Sequence, residues 1–79
     1  MPKFYFHLHD DYDTRDEDGK ELPDIDAARE YAEANALFTM AETLKEQGRI
    51  NLRHHIDIED EHGKVLATVR FRDVVAIET

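Results

Sequence analysis

Residues 22–48 read LPDIDAAREYAEANALFTMAETLKEQG, and this stretch determines the fold because it predicts one long helix. Asp24 is suited to accept hydrogen bonds from the free amides of the first turn. Gly48 is suited to the left-handed conformation that ends many helices. Neither Pro nor Gly interrupts the residues between them. A helix from Asp24 to Gln47 would be about 35 Å long at 1.5 Å per residue.

The apolar residues of this helix predict the face that packs on the rest of the chain. At 100° per residue, one arc collects most of the apolar side chains, and polar residues such as Arg29, Glu33 and Thr43 fall opposite. We expect this arc to be the packing face. It consists of Ala27, Tyr31, Ala34, Leu37, Phe38, Ala41 and Leu44, with Met40 at its edge.

Short strands are predicted on both sides of the helix. Residues Lys3 to His9 alternate, with Phe4, Phe6 and Leu8 on one face, and we expect a half-buried strand there. The acidic loop that follows is expected to hold a short edge strand around residues 12–15, and residues 20–22 return toward the helix. After the helix, Ile50–Glu59 and Lys64–Phe71 alternate around a hairpin at residues 60–63. Residues 72–79 are expected to form either a last edge strand or a short turn packed on the helix.

These elements predict an α+β fold of the order β-β-α-β-β. We expect an antiparallel sheet of three to four strands with one long helix packed on one face. A chain of 79 residues is too short for a second core, so residues 1–79 are expected to form a single domain.

The composition disfavours several classes of function. The net charge is −9, with 19 acidic residues against 10 basic ones, which disfavours direct binding of nucleic acid. The amino terminus lacks the layout of a signal peptide, and no apolar run approaches the length of a membrane span. The absence of Cys fits a cytoplasmic location.

The residues that nucleophilic catalysis requires are scarce. The chain contains no Cys, no Ser and no glycine-rich phosphate loop. A small domain with an open polar sheet face also offers no evident deep pocket. We therefore expect a non-enzymatic domain without a cofactor.

Three histidines on the face opposite the helix form a candidate metal site. His7 and His9 point the same way on the first strand, and His55 points outward from its own strand beside Asp57. If these strands pair, the imidazoles and the carboxylate would converge on ligand types that suit Zn²⁺ or Ni²⁺. The alternative is that they are ordinary solvated residues of an open sheet face.

The same sheet face is a candidate interface, because it mixes aromatic, histidine and arginine side chains. A small domain gains stability from association, so we expect a homo-oligomer or a protein partner. The alternative is a solvated antiparallel face. The candidate interface residues are Tyr5, His7, His9, Arg53, His55, Leu66 and Arg70.

The pattern D-E-x-G-K-x-L occurs twice, at residues 16–22 and 60–66. A duplicated unit would produce such a repeat, but two copies of one favoured turn explain it more simply.

Four segments carry a resemblance to a known family: Phe4–Leu8, the ELPD of Glu21–Asp24 with Ala27-Ala28, the D-E-x-G-K-x-L hairpin, and Phe71-x-Asp73-x-Val75. Nearly the whole chain is similar to a family of short proteobacterial domains of unknown function. The resemblance implies a bacterial cytoplasmic protein and transfers no catalytic or ligand residues. The layout also resembles small antitoxin domains that bind a protein partner, and an antitoxin-like regulator would have a toxin gene as its neighbour.

Overall fold

The computed structural model describes residues 1–79, and its central feature is an antiparallel sheet. The strand order is β2-β1-β4-β5, and β3 also pairs with β1. The expected α+β fold is confirmed, and the sheet has five strands because the loop after β1 returns twice to its edge. The strands are β1 Lys3–His9, β2 Asp13–Thr14, β3 Lys20–Glu21, β4 His55–Glu59 and β5 Val65–Arg70.

The register of β1 against β4 separates the two faces of the sheet. Phe6 lies opposite Ile58, while His9 lies opposite His55 on the other face. Ile58 is fully buried in the core, as the alternation of apolar residues predicts.

The long helix α1, Ile25–Gln47, begins and ends where the sequence indicates. The Asp24 side chain accepts a hydrogen bond from the backbone N–H of Ala27 at 2.9 Å. Gly48 adopts a left-handed φ of 70°, and its N–H donates to the carbonyl of Leu44 at 2.9 Å. Both caps satisfy backbone groups that a helix end leaves free.

The helix packs through a different face from the one predicted. An inner stripe at spacing i, i+4 is buried against the sheet, consisting of Ala28, Ala32, Ala36 and Met40. Small side chains let the helix approach the sheet closely, so that Phe4, Ile58 and Phe71 fill the space between them. Of the predicted set, Met40 lies on this inner stripe and Tyr31 contacts Phe6 with ring centroids 4.8 Å apart. Most of the predicted arc lies about half a turn away and faces outward. We call its exposed part the outer stripe, and it comprises Tyr31, Ala34, Leu37, Phe38, Ala41 and Leu44.

Two strands are shorter than the alternation indicates. The strand expected from Ile50 begins only at His55, because residues 51–53 form a turn in which the Asn51 side chain accepts from the N–H of Arg53 at 2.9 Å. The last strand ends at Arg70, and Phe71–Val74 forms a short helix, α2, that packs on α1. This agrees with the expected short turn rather than a last edge strand.

Both copies of the D-E-x-G-K-x-L pattern form turns, as the simpler explanation requires. Gly19 and Gly63 have φ values of 71° and 80°. In each copy the first Asp accepts hydrogen bonds from two backbone amides of its own turn. Neither helix of the protein is long and apolar enough to cross a membrane.

Candidate functional site

The face of the sheet opposite α1 carries a cluster of two histidines and one carboxylate. His9, His55 and Asp57 each offer a ligand atom, and these atoms lie within 4.8 Å of one another. The His9 Nε2 atom is 3.1 Å from Asp57 Oδ2, and the His55 Nε2 atom is 3.8 Å from Asp57 Oδ1. The two imidazole rings stack with their centroids 4.7 Å apart. The pairing of β1 with β4 produces this cluster, because it places His9 directly opposite His55.

Two further side chains orient the cluster. The Asp13 carboxylate lies 3.1 Å from His9 Nδ1, and the Thr68 hydroxyl donates to Asp57 Oδ1 at 2.8 Å. A carboxylate on the far nitrogen of a ligating histidine is the usual outer partner of a metal site. Both ring nitrogens of His9 thus lie 3.1 Å from a carboxylate oxygen, Nδ1 beside Asp13 and Nε2 beside Asp57.

His7, the third predicted ligand, lies outside this cluster. Its Nδ1 atom accepts a hydrogen bond from the backbone N–H of Asp16 at 3.0 Å. Its Nε2 atom lies 3.3 Å from Glu59 Oε1, and the residue is only 4% exposed. Both nitrogens therefore have protein partners, and His7 attaches the loop after β1 to the sheet.

Asp16 also attaches the loop after β1 to the sheet. Its Oδ2 atom accepts from the N–H of Phe6 at 3.1 Å, and its Oδ1 atom accepts from the N–H groups of Asp18 and Gly19. Burial would raise the pKa of the Asp16 carboxyl, but these three hydrogen bonds outweigh burial and lower that pKa below 3.8. Asp16 thus fills the gap on the edge of β1 that β2 and β3 leave between them.

The predicted interface residues differ in how exposed they are. Tyr5 is half-buried beside Gly19, whereas Arg53, Leu66 and Arg70 are exposed. Arg53 and Arg70 line an open groove of about 740 Å³ together with Arg72. The apolar wall of this groove is formed by Leu52, Val75 and Ile77.

A second cleft, of about 590 Å³, lies on the other side of the sheet beside the C-terminal half of α1. His54 contributes to its lining, and its Nε2 atom is buried without a hydrogen-bond partner. The Asp11 Oδ1 atom lies 3.7 Å from this nitrogen, which is beyond hydrogen-bond distance. The His54 ring contacts the buried Phe71 ring edge-on, with centroids 5.8 Å apart.

Asp13, Thr68 and Arg72 were not among the predicted site residues, although the alternation along β5 places Thr68 on the open sheet face. The hairpin pairing of β4 with β5 places Thr68 opposite Asp57, so a register derived from the turn at residues 60–63 would have identified it. Asp13 follows from no local pattern, because it reaches His9 only through the return of the loop to the edge of β1. Arg72 lies in the tail, whose lack of periodicity left its position open.

The fold and these side chains define a small α+β domain with one helix on an antiparallel sheet and a polar cluster on the open face. No curated protein and no solved structure matches the chain. Residues 3–72 match the model of a domain of unknown function, DUF6894, and the chain belongs to that family.

Proposed function

We propose that this protein is a non-enzymatic module that acts by self-association, with the outer stripe of α1 as its interface. The observation that carries this proposal is the exposure of the large apolar residues of the stripe. Phe38 is 67% exposed, and Leu37 and Leu44 are each 48% exposed. Several large apolar side chains exposed on one face of a small domain are typical of a protein interaction site.

The spacing of the outer stripe favours a helix as the partner. Ala34, Leu37, Ala41 and Leu44 repeat at intervals of three and four residues, as in the a and d positions of a coiled coil. The inner stripe already packs on the sheet. Of the outer stripe, Tyr31 contacts the Phe6 ring with centroids 4.8 Å apart, whereas the large side chains of Leu37, Phe38 and Leu44 stay exposed.

The outer stripe is complementary to itself, which favours a second copy of the chain over another protein. In an antiparallel pair with a two-fold axis at the height of residue 39, Ala34 lies opposite Leu44 and Leu37 lies opposite Ala41. Each large side chain then meets a small one, and the two copies of Phe38 lie close to the axis. One helix face is a modest interface, so we expect a dissociation constant of about 10–100 μM.

Sedimentation equilibrium of the intact chain tests this proposal. We expect a dimer at about 100 μM and a monomer for Leu37→Glu, because the introduced carboxylate would be buried at the interface. Val65→Glu is the matched control, since Val65 is also 48% exposed but lies on β5. A monomeric wild type, or equal effects of the two substitutions, contradicts the proposal.

Cross-linking tests the two-fold arrangement separately. The chain contains no Cys, so Phe38→Cys introduces a single thiol close to the proposed axis. We expect this variant to form a disulfide-linked dimer on mild oxidation much faster than Tyr12→Cys, whose side chain is 83% exposed but lies away from the stripe. Equal rates for the two variants would show that the copies meet only by random collision.

The cluster of His9, His55 and Asp57 favours a second candidate function, the binding of a divalent transition metal ion. Two imidazoles and one carboxylate are a ligand set that suits Zn²⁺, with water completing the coordination. Asp13 on His9 Nδ1 would then hold the ring in the orientation that presents Nε2 to the ion.

Calorimetry with Zn²⁺ tests the metal proposal. We expect a dissociation constant below about 100 μM and its loss in His55→Gln. His62→Gln is the control, because His62 lies in the exposed turn between β4 and β5. Absence of binding by the wild type, or an equal loss in both variants, would exclude this site.

A further inference from the structure

We propose that the arginine groove at the end of the open sheet face binds a small phosphorylated organic anion. The arginine groove is formed by Arg53, Arg70 and Arg72, and His55 is also part of its lining. The proposal is independent of self-association, because the groove lies on the sheet face and the outer stripe lies on α1.

The arginine groove concentrates positive charge on a strongly acidic chain. Three of the six arginines line it, although the net charge is −9. No Asp or Glu belongs to its lining, and the nearby Asp57 contacts the lining residues Thr68 and His55 rather than an arginine. None of the three guanidinium groups forms an ion pair or a side-chain hydrogen bond within the protein, so their donors are free for a ligand. This distribution is unusual, because nearby carboxylates are abundant and pair readily with arginine.

The chemistry of guanidinium favours a phosphoryl group as the ligand. Each planar guanidinium donates two parallel hydrogen bonds to oxygens of one phosphate or carboxylate. A phosphate monoester carries about two negative charges and three acceptor oxygens, and therefore uses several guanidinium groups at once. The His55 ring, which lies opposite Arg70 in the strand register and belongs to the lining, has a ring N–H group as a further donor type.

The size of the groove and its surroundings favour a small ligand over a nucleic acid. A volume of about 740 Å³ is that of a typical small-molecule site. Leu52, Val75 and Ile77 form an apolar wall that would contact an organic ring or chain attached to the phosphate. An extended polyanion would reach beyond the three arginines onto a surface dominated by carboxylates, and would be repelled there.

Isothermal titration of the intact chain with ADP tests this site, with EDTA present so that a metal ion cannot bridge protein and phosphate. We expect saturable binding with a dissociation constant below about 1 mM. Arg70→Gln and Arg72→Gln are each expected to weaken it about tenfold, because a hydrogen-bonded charge pair is lost. Arg15→Gln removes the same charge outside the groove and is expected to weaken binding by less than about twofold, since salt screens distant charges.

Adenosine and a single-stranded oligonucleotide separate the alternatives. We expect adenosine to bind far more weakly than ADP, because it lacks the phosphates. Three results would overturn the proposal: no saturable binding of ADP, equal losses in Arg15→Gln and Arg72→Gln, or tighter binding of the oligonucleotide than of ADP. Circular dichroism checks folding, and we expect unchanged spectra because these arginine side chains form no hydrogen bonds within the protein.

Discussion

Asp16 and Asp60 show at the scale of single residues what the repeated D-E-x-G-K-x-L pattern encodes. Each carboxylate accepts hydrogen bonds from backbone amides of its turn, and each has a pKa below the ordinary value of 3.8. For Asp60 the N–H of Lys64 is the largest cause of that lowering. Asp16 additionally attaches its turn to the N–H of Phe6 on β1. The repeat is therefore a local solution for closing a turn, used once in a loop and once in a hairpin.

The lowered pKa of these carboxyls predicts how stability depends on pH. The unfolded chain takes up protons on Asp16 and Asp60 at higher pH than the folded chain does, so their contribution to stability is complete above about pH 5 and is lost as pH falls through and below 3.8. Urea unfolding between pH 3 and pH 7 measures this loss. We expect Asp16→Asn to lower the free energy of unfolding by about 1 kcal/mol at pH 7. We also expect the free energy of unfolding of this variant to fall less steeply as the pH is lowered toward 3. Asp18→Asn is the control, since the Asp18 side chain accepts no hydrogen bond, and an equal effect of both would contradict the role of Asp16.

Gly19 is the glycine whose substitution we expect to be most damaging. Its φ of 71° disfavours any other residue, and an added Cβ would lie 2.9 Å from Cε2 of Tyr5. Gly48 has a similar φ of 70°, but a Cβ there would meet nothing within 4 Å. We expect Gly48→Ala to lower the free energy of unfolding by about 1 kcal/mol from backbone strain alone, and Gly19→Ala by more. Chemical denaturation measures both, and equal losses would show that Tyr5 moves aside at no cost.

At the scale of elements, the cap residues predicted where α1 begins and ends, and the alternation of apolar residues predicted which face of β1 is inward. Both signals depend only on residues that are neighbours in the sequence. The packing face of α1 was predicted wrongly because the helix has apolar residues on two opposite sides. The prediction followed the large apolar side chains, which lie on the outer stripe. The sheet instead packs against the small residues of the inner stripe. The cluster of His9, His55 and Asp57 was partly predictable, because the alternation along β1 and β4 places both histidines on the open side of the sheet. His7 instead contacts a loop whose path no local pattern specifies.

Leucine substitutions at two alanines test the orientation of α1. Ala32 is fully buried against the sheet, so Ala32→Leu overpacks the core and is expected to cost about 1–3 kcal/mol. Ala34 is exposed on the outer stripe, so Ala34→Leu is expected to change monomer stability by less than about 0.5 kcal/mol. Thermal unfolding of dilute samples measures both variants. The opposite order would indicate that the outer stripe packs on the sheet.

At the scale of the whole molecule, charge is distributed unevenly. The net charge of −9 comes from acidic residues spread over loops, strands and helix, while three arginines lie together in one groove. The middle of the outer stripe of α1 is apolar, and Glu30 and Lys45 lie on the same arc only near its two ends. Repulsion between whole chains therefore opposes any self-association, while the contact surface itself is apolar.

Because charge repulsion between the chains opposes the apolar contact, we expect added salt to strengthen the proposed dimer. Raising NaCl from about 20 mM to about 300 mM shortens the range of repulsion between two chains of charge −9 and leaves apolar contact largely intact. We expect the dissociation constant measured by sedimentation equilibrium to fall about fivefold over this range, and Leu37→Glu to stay monomeric at both concentrations. A dissociation constant that instead rises with salt would mean that opposite charges hold the copies together. The acidic loop at residues 10–18 of one copy and the arginine groove of another would then be the surfaces in contact, and the outer stripe would need a different partner.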